Sequence, residues 1–478
     1  MILLMIVLFL IGYICIALEH TTHVNKAAPA LIMAALLWTL YVINAESILV
    51  LSPEFQQFVG KAFNVSPSME GWNEFVTNTL PSLPDLHERC ISYVTGTQII
   101  EHLGDTASTL FFLMGAMTIV ELIDVHGGFS IITDHITTKK KRKLLWIIAS
   151  ITFCLSAILD NLTTTIVMVM LLRKLISDSK ERWLFACMVV IAANSGGAFS
   201  PIGDVTTIML WVRGNITTGG VVPSLIIPSI ISVVVPAFIV SLMLKGEISS
   251  CTESVDGAAD KTSNYVDERE RNIIFFLGVG ALIFVPIFKS ITHLPPFIGI
   301  LLGVGVLWTY TDIMYLRKHT VPANLQGRIN NVLSRIDLST IMFFLGILMS
   351  VAALQCSGIL HQLSMFLDET IGNIYIINII IGMLSSIVDN VPLVAGAMGM
   401  YDGVYAADSP FWLFLAYCAG VGGSMLIIGS AAGVVVMGLE KVDFFWYVRK
   451  ITWLALIGYL VGAFYFIFQE LVLIPMFQ

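Results

Sequence analysis

Asp160, Asp204 and Asp389 each stand in an apolar stretch, and each is surrounded by side chains that carry oxygen. Ser156, Asn161, Thr163 and Thr164 flank the first aspartate; Asn194, Ser195, Thr206 and Thr207 flank the second; Ser385, Ser386 and Asn390 flank the third. Ser424 and Ser430 follow in a later stretch. Hydroxyl, amide and carboxylate oxygens are the ligands that hard cations prefer. A carboxylate can hold a cation or a proton, so the two compete for it. Ser156 and Asp160 are four apart, and on one continuous helix they share a face. A single such aspartate is often structural, hydrogen-bonded to helix ends. Three of them in matching surroundings point to ion chemistry.

The elements that hold these residues must lie in lipid. The 478 residues are 57% hydrophobic and 12% charged, with a mean hydropathy of +0.87. A soluble domain cannot hide that much apolar surface. A carboxylate facing hydrocarbon costs about 2.5–3.5 kcal/mol, so each aspartate needs a partner, a cavity or an ion. The net charge of −8 says little, because charge matters here by loop. Seven scattered cysteines without a CxxC or Cys/His spacing indicate neither a disulfide framework nor a zinc site. The run 1–17 has no cation before it, and it reads as a retained span and not a cleaved signal.

Apolar windows of membrane-spanning length predict spans at 1–17, 27–45, 106–125, 183–212, 223–244, 272–290, 296–316, 338–360, 411–440 and 452–475. Runs 144–172 and 371–402 carry a polar cluster at the middle, so they either cross or enter and return. If both return, 21 of the 25 Lys and Arg residues fall on one side, leaving Lys61, Arg89, Arg213 and Lys289 on the other. If both cross, the split is 11 against 14. The positive-inside rule selects the returning form. It makes 46–105 a periplasmic insert and 245–271 a cytoplasmic linker, with both termini periplasmic.

The two returning runs resemble each other. Ser156-Ala-Ile-Leu-Asp160-Asn161 parallels Ser385-Ser-Ile-Val-Asp389-Asn390. Downstream, Gly196, Gly197 and Gly203 parallel Gly422, Gly423 and Gly429; upstream, Thr109–Gly115 parallels Thr340–Gly346. The three offsets, 229, 226 and 231, keep one order. The expected fold is therefore an all-α polytopic membrane protein. It has about ten transmembrane helices plus two re-entrant hairpins (144–172 and 371–402) in two inverted repeats, 1–244 and 272–478. Spans 183–212 and 411–440 are broken, because the glycines and Pro201 favour unwinding. Inverted repeats with broken helices meeting at the midplane are the architecture of secondary transporters.

The stretches 156–164 (SAILDNLTT), 194–207 (NSGGAFSPIGDVTT) and 385–393 (SSIVDNVPL), with 101–124 upstream, resemble the NhaD-type sodium/proton antiporters of the ion transporter superfamily. The likeness runs from about residue 95 onward and leaves the insert 46–100 without a role. It implies export of Na⁺ or Li⁺ driven by proton entry, a homodimer, and a moving transport domain that holds both hairpins. By motif match, Ser156, Asp160, Asn161, Asn194, Asp204, Thr206, Thr207, Ser385, Asp389, Asn390 and Ser430 are the ion-site residues. Thr163 joins them by position, and Na⁺ is expected at Asp160 and its neighbours.

The expected activity is alternating access in which carboxylates bind Na⁺ on one side and return protonated, in a bacterial inner membrane. No cofactor is expected beyond the transported Na⁺, Li⁺ and H⁺, no nucleic acid partner, and no enzyme activity. Glu101, His102 and Asp105 at the mouth of one span, Glu121 late in the same span and Asp337 before another could gate access or sense pH. A dicarboxylate or oxyanion carrier is the nearest rival, but no Lys or Arg lies in either hairpin or broken span. An intramembrane aspartyl protease would need Gly-x-Gly-Asp, and Asp204 follows Pro-Ile-Gly. The metalloprotease motif HExxH is also missing, since His87-Glu88 lacks the second His. A channel is a third rival, separated by the need for proton coupling.

Overall fold

The computed structural model describes residues 2–17, 19–22, 24–50, 52–69, 71–133, 138–248, 266–318, 332–387 and 390–477. Asp389 and most of the expected linker 245–271 lie outside the described residues. Among those described, regular structure is helical, apart from one isolated bridge between Lys140 and Glu247. Such a result comes from the solvent: in hydrocarbon, each backbone N–H and C=O must find its partner within the chain, which a helix provides.

The principal helices are α1 (Ile2–Ala17), α2 (Ala27–Ile43), α3 (Leu86–Val125), α4 (Lys141–Ser156), α5 (Asn161–Leu175), α6 (Ser179–Ala198), α7 (Val205–Val212), α8 (Thr218–Met243) and α9 (Glu268–Thr292). Next in the chain are α10 (Pro296–Arg317), α11 (Leu338–Cys356), α12 (Ile359–Thr370), α13 (Ile374–Leu384), α14 (Asn390–Met400), α15 (Pro410–Gly422), α16 (Ala431–Glu440), α17 (Phe444–Lys450) and α18 (Thr452–Phe468). Local chemistry sets several ends. A capping box of Asp267 and Glu270 opens α9, and the Ser430 hydroxyl accepts from Gly433 N to start α16. Lys441, in the left-handed region at φ 53°, ends α16.

Among the described residues, six helices are long and apolar enough to cross a membrane: α3, α8, α9, α10, α11 and α18 extended to Leu473. They become seven if the bent pair α12 and α13 is one span. The chain is thus a polytopic helical membrane protein. Expected spans 1–17 and 27–45 are the apolar helices α1 and α2, of 16 and 17 residues and below that length. Expected spans 183–212 and 411–440 are each two helices separated by a break, at 199–204 and 423–430. One boundary differs substantially. The helix expected at 106–125 starts at Leu86 and runs 40 residues, through a π-helical turn at Val94–Gln98. Its early turns contain Glu88, Arg89 and Glu101, so a hydropathy window cuts it short although its backbone pairing continues.

The helices form two compact units that cut across the two halves read from the sequence. The first comprises Met1–Leu110, Leu338–Glu369 and Ala395–Tyr401; the second comprises Phe111–Asp337, Thr370–Val394 and Asp402–Gln478. In the first, α11 crosses α2 so closely that a Cβ on Gly346 would meet the backbone of Ala30 and Leu31 at 2.6–2.7 Å. The Trp38 indole donates to the Met349 carbonyl at 2.9 Å across that crossing. The described part of the insert packs its own apolar cluster, in which Phe55 and Tyr93 meet edge to face at 5.4 Å.

In the second unit, α4 packs on α6, α13 on α15, α8 on α18 and α9 on α10, while α5 lies against both α6 and α16. A side chain at Gly196 of α6 would strike the Phe153 carbonyl of α4, and one at Gly422 of α15 would strike the Gly382 carbonyl of α13. Glycine is needed at both for the helices to approach. Lys141 Nζ lies 3.1 Å from Glu181 Oε1, so the start of α4 and the start of α6 are at the same end of this unit.

Candidate ion-binding site

The second unit brings four helix starts into one polar cluster. Asp160 precedes α5, Asp204 precedes α7, Asn390 opens α14 and Ser430 precedes α16. Each start carries unpaired N–H groups and the positive end of the helix dipole, an environment that stabilises negative charge.

Asp204 is the hub. It is 2% exposed, and three neutral groups donate to its carboxylate: Asn161 Nδ2 to Oδ1 at 2.8 Å, Asn390 Nδ2 to Oδ2 at 3.3 Å, and the Thr206 hydroxyl to Oδ2. Asn194 is the bridge. Its Oδ1 accepts from Asn161 Nδ2 at 3.1 Å, and its Nδ2 donates to Ser424 Oγ at 3.0 Å and Ser430 Oγ at 2.8 Å. One continuous network therefore runs from Asn390, on α14, through Asp204, Asn161 and Asn194 to Ser424 and Ser430, before α16.

Asp160 is arranged differently. Its carboxylate caps its own helix, accepting from Thr163 N at 2.6 Å and from the Thr163 hydroxyl at 3.1 Å. Its backbone lies at φ 144°, a conformation that L side chains rarely adopt and that costs on the order of 1–3 kcal/mol. The expectation that Ser156 and Asp160 share a helical face does not hold. α4 ends at Ser156, and a turn intervenes before Asp160 starts α5. Aspartate preceding a helix competes effectively for its free N–H groups, which favours the break.

Two other predicted site residues are turned toward backbone. Ser156 Oγ donates to the Ala193 carbonyl at 2.6 Å, and Ser385 Oγ donates to the Ala419 carbonyl at 2.9 Å. These bonds tie α4 to α6, and α13 to α15, beside the breaks. By contrast, the buried hydroxyls of Thr164 and Thr207 have no hydrogen-bond partner among the described residues. Buried oxygens left unsatisfied are costly, and a cation would satisfy them. Tyr447 enters the picture through the fold alone: its OH donates to the carbonyl of Ser424, one of the oxygen-bearing residues, at 2.7 Å from α17. Nothing in the local sequence of Tyr447 marks it.

The residues expected to gate or sense pH have contacts of their own. Glu101, His102 and Asp105 belong to the first unit, where His102 Nε2 is 3.2 Å from Cys356 Sγ. Glu121 is 3.7 Å from Arg335, an ion pair within the second unit, and Asp337 ends one segment of that unit.

A family model described as Citrate transporter matches residues 6–413. The chain is 43% identical over 469 residues to sodium/proton antiporter 2 of Arabidopsis thaliana, covering 96% of this chain and 97% of that protein. It is 42% identical over 463 residues to sodium/proton antiporter 1 of the same plant, covering 96% and 71%. To the Na⁺/H⁺ antiporter NhaD of Vibrio parahaemolyticus it is 32% identical over 370 residues, covering 72% and 85%. The chain belongs to the NhaD-type sodium/proton antiporter family of the ion transporter superfamily.

Proposed function

We propose that this protein exchanges intracellular Na⁺ or Li⁺ for external protons, with the Asp204 cluster and Asp160 as the shared ion and proton site. One observation carries the reading: carboxylates of the chain itself stand at two of the helix starts, Asp160 at α5 and Asp204 at α7. Helix starts alone favour an anion. Filled by aspartates and lined by the oxygens of Asn161, Asn194, Thr206, Ser424 and Ser430, the same place favours a cation. This argues against an anion such as citrate as the cargo, although the matching family model bears that description. The relatives named as sodium/proton antiporters support exchange.

The finer reading is alternating access of elevator type by a homodimer in a bacterial inner membrane, both termini periplasmic. Protonated and cation-loaded forms cross, and the ionised empty form does not. Matching contacts in the two proposed repeats support it. Gly196 against Phe153 and Gly422 against Gly382 are the same approach at offsets of 226 and 229, as are the Ser156 and Ser385 bonds to backbone carbonyls. The Lys141–Glu181 ion pair, joining the flanks of 144–172, supports re-entry of that run. Asp389 is assigned the same role as Asp160 by its motif alone.

The test is a proton gradient across everted membrane vesicles containing the full chain. Adding Na⁺ or Li⁺ should dissipate it, more strongly at alkaline pH. A response only to citrate or an oxyanion, or none to any alkali cation, rejects the proposal.

A further inference from the structure

Two carboxylates outside the ion cluster, Glu440 and Asp408, join the connections of one interrupted helix to those of the other. Glu440 is the last residue of α16, and its side chain is fully buried. Arg173 Nε donates to its Oε1 at 2.7 Å and Arg182 Nε to its Oε2 at 2.6 Å. The same corner satisfies the end of the helix: Arg173 also donates to the Leu439 carbonyl, and the Trp183 indole donates to the Glu440 carbonyl at 2.9 Å. Arg182 reaches back to the Ile176 carbonyl at 2.7 Å. The connection between α5 and α6 is thus fastened to the far end of α16.

At the other place, Asp408 precedes α15 and lies in the left-handed region at φ 58°. Its Oδ1 accepts from Thr217 N at 2.6 Å and its Oδ2 from the Thr217 hydroxyl at 2.7 Å, while Asp408 N donates to the Asn215 carbonyl at 2.9 Å. That fastens the connection after α7 to the connection before α15. The first clasp is buried and ionic and the second is exposed with neutral donors, but they share one topology: each links the C-terminal side of one broken helix to the N-terminal side of the other.

A buried ion group yields little net stability over apolar packing of the same volume, because desolvating it is expensive. Its best-attested use is to fix register. Here the register that matters is local. α5 and α6 carry Asn161 and Asn194, and α16 starts at Ser430, so a small slide of α16 would pull Ser430 off Asn194.

We infer that Glu440 with Arg173 and Arg182, and Asp408 with Thr217, are positioning clasps that hold the two broken helices in register and stay closed throughout exchange. The inference rests on the proposed function above. It predicts that Glu440→Gln, in the full chain in everted vesicles, raises the apparent KM for Na⁺ at least tenfold at fixed pH while kcat changes less than threefold. A merely structural residue would lower the amount of protein in the membrane and leave KM unmoved; that result, or a fall in kcat alone, overturns it.

A second variant covers the case in which Glu440→Gln does not fold. Thr217→Cys with Asp408→Cys replaces the other clasp by a bond that can be made and broken. Reduced, the pair should show a raised KM; oxidised, exchange should return with a KM near that of the wild type. Loss of exchange on oxidation, with recovery on reduction, means the contact must open during transport and overturns the clasp. Wild-type vesicles separate the two readings: no Na⁺-driven proton movement there rejects the exchange proposal, whereas exchange with an unmoved KM in the variants rejects the clasp alone.

Discussion

At the residue scale, the two described aspartates of the cluster should respond differently to loss of charge. Asp160 acts through a cap, and asparagine caps a helix about as well and tolerates positive φ. Asp160→Asn should therefore keep its thermal midpoint and yet lose exchange by about 100-fold or more, since an amide cannot trade a proton for a cation. Asp204 accepts from Asn161, Asn390 and Thr206 together. In Asp204→Asn one acceptor becomes an NH₂ facing those donors, which should cost about 1–3 kcal/mol of stability as well as activity. Thermal melting of the purified variants beside vesicle exchange distinguishes the cases; an Asp160→Asn protein with full Na⁺-driven exchange would remove that residue from the mechanism. Thr163→Val deletes the hydroxyl bond to Asp160 but leaves the backbone one, so a loss of about fivefold, worth about 1 kcal/mol, is expected in kcat/KM.

At the element scale, the breaks in α6–α7 and α15–α16 depend on helices coming close enough for backbone to touch backbone. Gly196→Ala and Gly422→Ala each press a methyl against a neighbouring carbonyl, which cannot move away as a flexible side chain would. Each should destabilise by about 1–3 kcal/mol and reduce the folded protein recovered from membranes. Gly305→Ala in α10 is the control. No atom lies within 4 Å of its Cβ position, and alanine suits a helix interior better than glycine by about 0.5–1 kcal/mol. Equal behaviour of the three variants in a melting assay would show that the close approaches do not govern these helices.

At the scale of the whole molecule, the proposed exchange, in which H⁺ and Na⁺ compete for the same carboxylates, sets a sign. As pH falls, protons occupy the site, so the apparent KM for Na⁺ should rise, by at most about tenfold per pH unit for each proton displaced. A KM independent of pH between 6 and 9 would separate proton and cation sites. Topology supplies another test. Cysteines placed at Lys143 and Lys180 should react with an impermeant reagent from the same side of the membrane, because the ion pair between Lys141 and Glu181 brings those flanks together. Labelling from opposite sides would mean that 144–172 crosses, and the inverted arrangement would be lost.

Sequence by itself determined the solvent, the helical class, the oxygen-rich character of the site and the interruptions. These are local properties: hydropathy over a helix length, and glycines beside polar residues. It could not determine which side chain stands at the centre. Ser156 and Asp160 look like one helical face until the Asp160 carboxylate takes the N–H of Thr163 and starts a new helix. Asn194 becomes a bridge only when Ser424 and Ser430, some 230 residues away in the chain, are packed beside it. Burial of Glu440 between Arg173 and Arg182 arises in the same way, since charges near span ends read as solvated until the fold removes water from them. Long-range packing chooses among partners that composition leaves equivalent, and that choice belongs to the tertiary structure.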